Sequence, residues 1–497
     1  MSLVNKLRGV YKMAAFLDKL VGWLWGVPLI VTILGTGLYF TFATGLFQFA
    51  NFPHILKNTF GKLLTKDKGQ GESGLLSPYE AISVAVGGSV GVGNIGGVAT
   101  AIAVGGPGAV FWMWTAALLG MVIKMAEVTL AVYYRSKDEN GNPFGGPTYY
   151  MEKGLGEEKG FKGWKVVAYL FGLGLFSSFL FTMQSYTVSE AVGNTFNIPI
   201  LYIGIAYLVL TYAFIIGGIE KLGASAGKLV PLMCIFYIVA GTFIILKNIG
   251  SIPMAFGQIF GNAFTGTAAI GGFAGSAFAK AIQMGMARSV YSNEAGWGTS
   301  PMIHSTARTD HPVKQGMWGC FEVFVDTIIV CSVTALVIVV TGAWESGVSG
   351  ATLTLNAFES ELGYAGRVAV AISVFLFGLT TSTGWYTYYE ILLRHMFKKN
   401  IAAKDAILKG YKWIYPIPGF AMVLLAVYGN LPGPSLWLFA DISTALPTFV
   451  NVAVLLVLSP TFIKLVKDYK ARYMGQGTVD KNFKVFYEEV TVKSGKK

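Results

Sequence analysis

Residues Gly87 to Gly97 read GGSVGVGNIGG, and the reading of this stretch decides the fold. It lies inside an apolar run from roughly Pro78 to Val104, longer than the ~20 residues a helix needs to cross a bilayer. The centre of that run carries Gly87, Gly88, Gly91, Gly93, Gly96 and Gly97, with Ser89 and Asn94 as its only polar side chains. Each glycine costs a helix interior about 1 kcal/mol relative to alanine, so the helix is weakest at mid-depth and is expected to break there. Backbone freed inside hydrocarbon is tolerated only where it faces protein or a water-filled cavity. Gly87/Gly91 and Gly93/Gly97 are also GxxxG pairs, which let helices pack closely. Of the two readings, Asn94 and a matching feature later in the chain favour a site over plain packing.

The rest of the composition fits a membrane solvent. Of 497 residues 54% are hydrophobic and 13% charged, about half the ~25% charged share of soluble domains. Mean hydropathy is +0.56. The chain therefore reads as an all-α polytopic membrane protein. A net charge of +12 would suggest a nucleic-acid partner in a soluble protein. Here the Lys and Arg sit in short loops between apolar runs, where they set orientation. Cys234, Cys320 and Cys331 lie in apolar segments without metal-ligand spacing and read as packing residues. Met1 to Lys19 is amphipathic and contains Asp18, so no cleavable signal peptide is expected.

Periodicity and breaker residues give about eleven spans, roughly 20–43, 78–104, 108–134, 164–194, 199–217, 222–247, 272–306, 316–342, 366–393, 411–429 and 434–465. Basic residues follow span 1 (Lys57, Lys62, Lys66, Lys68), span 3 (Arg135 to Lys165), span 7 (Arg308, Lys314) and span 9 (Arg394 to Lys412). The opposite loops are nearly uncharged; Ser346 to Gly366 holds only Glu359 and Glu361. The N-terminus is thus expected outside and the C-terminus in the cytoplasm, against the local charge of Lys6, Arg8, Lys12 and Lys19.

Setting span 1 aside leaves spans 2–6 and 7–11, two five-helix halves of opposite orientation. Span 7 is interrupted like span 2: after Phe273 to Met286 comes the polar run RSVYSNEAGWGTSP, Arg288 to Pro301. Inverted repeats that each open on a broken helix are the architecture of secondary transporters, with the binding site at the breaks. The expected division is an N-terminal amphipathic segment and extra span over 1–50. The two repeats follow over 78–247 and 272–465, and a cytoplasmic tail over 466–497.

Ionisable residues inside the spans are functional candidates. Lys124 and Glu127, three apart, are expected to form an ion pair that holds the end of span 3. Glu322 and Asp326 share one face of span 8; Asp326 reads either as an ion ligand or as the partner of Arg288. Glu294 and Asn293 are expected to close a network with Arg288. In span 9, Thr380, Thr381, Ser382 and Thr383 form a hydroxyl cluster followed by Trp385. Some of these hydroxyls are expected to bond their own helix. Others, with carbonyls of the broken span 2, would suit a hard cation such as Na⁺. Trp385 reads as a pocket wall or as a core residue, and Phe176 and Phe179 in span 4 as the opposite wall or as packing. Gln283 in span 7 is a further candidate substrate contact.

Several runs carry a resemblance: GVGNIGGVATAI (Gly91 to Ile102), GGPGAVFWMWTAALLG (Gly105 to Gly120), KMAEVTLAVYYR (Lys124 to Arg135), GGPTYYMEKGLG (Gly145 to Gly156) and SNEAGWGTSP (Ser292 to Pro301). In this order they resemble the alanine/glycine:cation symporter family, the sodium:alanine symporters. That resemblance implies a LeuT-type 5+5 inverted repeat with an extra N-terminal helix, working by Na⁺-coupled uptake of small neutral amino acids across the cytoplasmic membrane. It also implies that the backbone around Ser89, Gly91 and Gly93 holds the substrate carboxylate and that Asn94 lies at a first ion position. Thr380 and Thr381 would ligate a second sodium with the carbonyls of Gly87 and Val90, and Trp385 would line the pocket.

The expected function is symport of alanine or glycine with Na⁺ by alternating access. The rivals are another cargo such as glutamine, H⁺ coupling through Asp326, or a non-transporting amino-acid sensor. Enzyme chemistry is not expected: the four histidines fall in or near loops, and no HExxH or GxSxG arrangement is present.

Overall fold

The computed structural model describes residues 16–17, 19–65, 75–265, 274–429 and 433–487. Residues 1–15, Asp18, Lys66, Lys68, the expected start of span 7 at 272–273 and the tail from 488 onward lie outside the described residues. Among those described, the chain is helical apart from turns and one small hairpin, Ser136–Lys137 against Pro143–Phe144.

Among the described residues, eight helices are long and apolar enough to cross a membrane, or up to nine if the bent pair is one span. The expected spans 5 and 7 are the 16-residue Ile200–Ile215, about 24 Å long, and Ala274–Asn293, which runs into the polar stretch.

Span 2 starts sharply. Ser77 caps its helix with a reciprocal box: the Ser77 hydroxyl accepts from the Glu80 N–H, and Glu80 accepts from the Ser77 N–H at 2.9 Å. Pro78 stands at the first turn, where its missing N–H costs nothing. The helix Pro78–Ser89 then stops, Val90 is extended, and the chain resumes through a wide turn at Gly93–Gly97 into Val98–Gly105. The two halves are bent by 44°. The glycine cluster breaks the helix where the sequence places the break.

Span 3, Gly108–Tyr133, is the buried post of the molecule and packs against spans 1, 7 and 8. Span 4 is interrupted between Leu180 and Gln184, and span 10 between Ile414 and Pro416.

Two expectations need correction. Ser346 to Gly366 is not an open loop: Gly350–Leu362 is a helix seated on the first break, where the Thr354 hydroxyl donates to the Ile95 carbonyl at 3.2 Å. A broken helix leaves carbonyls that need donors, and this segment supplies one. Span 11 does not run to 465 as one helix. Gly433–Val457 ends before Leu458, and Ser459–Met474 starts anew with Pro460 in its first turn, so the expected boundary at 466 falls inside that helix.

Candidate functional site

The first break and the second lie side by side, and Asp326 ties them together. Asn94 stabilises the first break locally: its Oδ1 accepts from the Gly91 N–H at 2.8 Å. Its Nδ2 donates to Asp326 Oδ1 at 2.6 Å. From the second broken helix, Ser292 Oγ donates to Asp326 Oδ2 at 2.8 Å, and Thr327 Oγ1 does the same at 2.8 Å. Cys331 Sγ lies 3.3 Å from both Asn94 Nδ2 and Ser292 Oγ. Asp326 sits on a widened helical turn, Phe324–Cys331, of the kind often found at functional positions. It is fully buried.

Asp326 is therefore not the partner of Arg288. Arg288 instead makes a bidentate pair with Asp441 of span 11, both bonds 2.7 Å, and lies over the Trp437 ring at 4.8 Å. Three donors already serve the Asp326 oxygens, whereas Asp441 matches the fork of the guanidinium. Nor does Glu294 close a network with Arg288: Glu294 Oε1 accepts from Trp385 Nε1 at 2.7 Å, and its other oxygen accepts from Thr299.

The hydroxyl cluster meets the first break from the other side. Thr381 Oγ1 donates to the Gly87 carbonyl at 3.1 Å. A side chain at Gly91 would overlap Thr381 Oγ1, and a Cβ at Gly87 would come within 3.3 Å of Thr380 Cβ. These glycines permit close approach of span 9. Of the four hydroxyls, Thr380 bonds back to Leu376 and Phe377, Thr383 bonds back to Thr380, and Ser382 pairs with Tyr207 at 2.7 Å. Only Thr381 is turned onto the break by a hydrogen bond. Ser89 bonds weakly back to Val86 at 3.4 Å, Val90 is the extended residue, and Gly93 packs on Tyr291 and Ser292.

Trp385 stands against Trp297, ring centroids 4.7 Å apart, and shares with Phe179 a small cavity of about 30 Å³ between spans 4, 5, 9 and 10. That holds roughly one or two waters. Phe176 is one step removed, stacked on Tyr389. Gln283 is not brought to the breaks: its amide donates to the Val21 carbonyl at 3.4 Å, towards span 1.

The second break is filled by charged side chains. Lys124 Nζ donates to the Glu294 carbonyl at 2.8 Å and to Ser300 Oγ at 2.9 Å, with Glu127 3.8 Å away. The expected Lys124–Glu127 pair exists, but it braces the break rather than a helix end. Glu127 accepts from the Gly296 N–H at 3.2 Å and from Asn451 at 2.6 Å, and Asn451 also donates to the Gly296 carbonyl at 2.9 Å. Gly296 and Gly298 have φ of 89° and 84°, which explains the GWG of the motif. Glu322 turns away from Asp326 towards Ser300 and His304, at 3.0 and 3.1 Å.

Sequence reasoning missed Asp441, Ser292 and Tyr388. The Tyr388 hydroxyl lies against Gly88, buried and without a hydrogen-bond partner among the described residues. Thr381, Gly384 and Tyr388 repeat at helical spacing, a face that could have been read. No group of three or more His, Cys, Asp or Glu side chains that could hold a metal occurs among the described residues.

A family model described as the sodium:alanine symporter family matches residues 10–484. The sodium/alanine symporter AgcS of Methanococcus maripaludis is 36% identical, over 90% of this chain and 94% of its own length. The probable sodium/glutamine symporter GlnT of Bacillus subtilis is 34% identical, over 92% and 91%. The putative sodium/proton-dependent alanine carrier YrbD of the same organism is 35% identical, over 92% and 93%. Among solved structures, MhsT in complex with L-phenylalanine superposes with a TM-score of 0.56 at 15% identity, over 80% of this chain and 99% of that one. That likeness is one of fold, and the fold is LeuT-type.

Proposed function

The chain belongs to the sodium:alanine symporter family, a family of membrane transporters and not of enzymes, and on that premise we propose that it couples entry of Na⁺ to uptake of alanine or glycine. The observation that carries the reading is the meeting of Thr381 with the Gly87 carbonyl at 3.1 Å beside a break in a membrane helix. Carbonyls and hydroxyls are the ligands a hard cation takes. Thr380, Thr381 and the carbonyls of Gly87 and Val90 form one sodium position. Asn94, Asp326 and Ser292 surround a second, where a carboxylate adds charge. The substrate carboxylate lies at the Ser89–Gly93 backbone, next to the helix that restarts at Gly93 and presents its positive dipole end. Trp385 and Phe179 close the pocket against longer side chains, and Phe176 backs them.

Binding a zwitterion beside Na⁺ couples the two. One Na⁺ crossing 100 mV releases about 2.3 kcal/mol, enough for roughly 50-fold accumulation. The two halves rock around this site, with the C-terminus in the cytoplasm and the N-terminus outside. Glutamine is the second reading, favoured by the 34% identical relative bearing a sodium/glutamine name. Labelled alanine uptake into proteoliposomes, under a Na⁺ gradient against an equal choline gradient, tests the proposal. Equal uptake in both gradients defeats the Na⁺ assignment, and glutamine competing as well as alanine defeats the small-pocket assignment.

A further inference from the structure

At the end of the molecule where the basic loops gather, a cavity of about 390 Å³ opens between the start of span 4 and the last turn of span 9. That volume is within the range of ligand pockets. Its wall carries Lys165, Lys398 and Lys399 against a single carboxylate, Glu152, together with Trp164 and Tyr169. Glu152 is already engaged: Lys398 pairs with it, and His395 Nε2 lies 2.8 Å from it. Burial opposes its ionisation, but these partners prevail and hold its pKa down to about 2. Lys165 and Lys399 have no carboxylate partner among the described residues. Two ammonium groups without a carboxylate, Lys165 lying 6.0 Å over the Trp164 ring, thus line a cavity whose one carboxylate is neutralised from within.

The surroundings of the cavity select among anions. Lys165 and Tyr169 are four residues apart on one helix face. Beyond Lys165 the exposed residues of the same helix include the large hydrophobic side chains Val166 at 61%, Tyr169 at 64% and Leu173 at 64%. Lys165 to Leu173 covers about 12 Å of helix, so the cavity continues directly into a stripe suited to hydrocarbon. Trp and Tyr at such a mouth are residues of the headgroup level. Basic pockets between membrane helices on the side of the basic loops are suited to acidic headgroups.

We propose that this cavity binds the phosphate headgroup of an anionic phospholipid through Lys165 and Lys399, with its acyl chains laid along Val166, Tyr169 and Leu173. The site joins span 4 to the end of span 9, the helix that carries Thr381 and Trp385, so an occupied site ties lipid composition to the transport core.

The test is native mass spectrometry of the full chain purified with equimolar dioleoyl phosphatidylglycerol and dioleoyl phosphatidylcholine. The wild type should retain phosphatidylglycerol preferentially, and each lysine removed, as in Lys165→Gln and Lys399→Gln, should reduce that preference about fivefold. Both variants should unfold at the wild-type temperature in phosphatidylcholine. Unchanged preference in the double variant overturns the proposal. So does displacement of the lipid by equimolar glycerol phosphate, which would make this a site for free phosphate. Should the double variant not fold, wild-type protein is labelled with a photoactivatable phosphatidylglycerol. Adducts on residues 164–173 and 395–399 support the site, and their absence from both segments overturns it.

Discussion

The two broken helices face each other, yet their backbone is satisfied by different chemistry, charged side chains at one and neutral ones at the other. At the second break nearly every loose group has a protein partner of its own. Lys124 covers the Glu294 carbonyl, Asn451 and Glu127 cover Gly296, and Asn293 accepts from the Ala295 N–H at 2.9 Å. At the first break the partners are neutral: the Asn94 side chain covers the Gly91 N–H, and the hydroxyls of Thr381, Thr334 and Thr354 cover the carbonyls of Gly87, Asn94 and Ile95. The ammonium of Lys124 is a cation built into the chain, whereas the first break is covered by neutral groups, and on the proposed function it is where a sodium ion binds and leaves. On that reading one break is a fixed post and the other the place of exchange.

The largest test of that contrast is Lys124→Met. It leaves Glu127 buried beside an uncovered break, and removing one partner of a buried pair costs about 3–5 kcal/mol. The expected result is loss of folded protein by size exclusion and thermal unfolding, partly recovered in Lys124→Met/Glu127→Gln. A fully stable single variant would mean that the second break is not held by its internal cation.

Next in size is Gly91→Ala, whose methyl overlaps Thr381 Oγ1. Overpacking of about 1–3 kcal/mol should push span 9 away from the first break and lower Na⁺-driven uptake at least about tenfold, with expression unchanged. Wild-type uptake would show that the close approach is dispensable.

Thr381→Ala should raise the Na⁺ concentration for half-maximal uptake about tenfold, as expected for one lost contact to a charged group at ~1.5 kcal/mol. The smallest effect belongs to Thr380→Ala, about threefold or less, because that hydroxyl already bonds its own helix. Equal effects at the two positions would erase the distinction drawn between them.

Much of this arrangement is legible in the residues themselves. The glycines of Gly87 to Gly97 and the polar run from Arg288 to Pro301 place both breaks, because helix propensity and the expense of polar backbone in hydrocarbon are local properties. The Lys124–Glu127 pair is legible for the same reason, as its spacing puts both on one face. The partners across the bundle are not. Arg288 meets Asp441 across 153 residues, and Lys124 meets Glu294 across 170. Asp326 offers an equally plausible carboxylate to Arg288 until its three donors are seen.

By itself, then, the sequence determined that this chain lives in a membrane, where its two weak helices break and which hydroxyls and carboxylates lie at their depth. Only the tertiary structure decided which of them meet. Successive residues on a helix point about 100° apart, so Thr380 and Thr381 differ by one step in sequence and by the whole choice of partner. That choice rests on how span 9 is rotated against Gly87 and Gly91, and the rotation is set by packing between helices far apart in the chain.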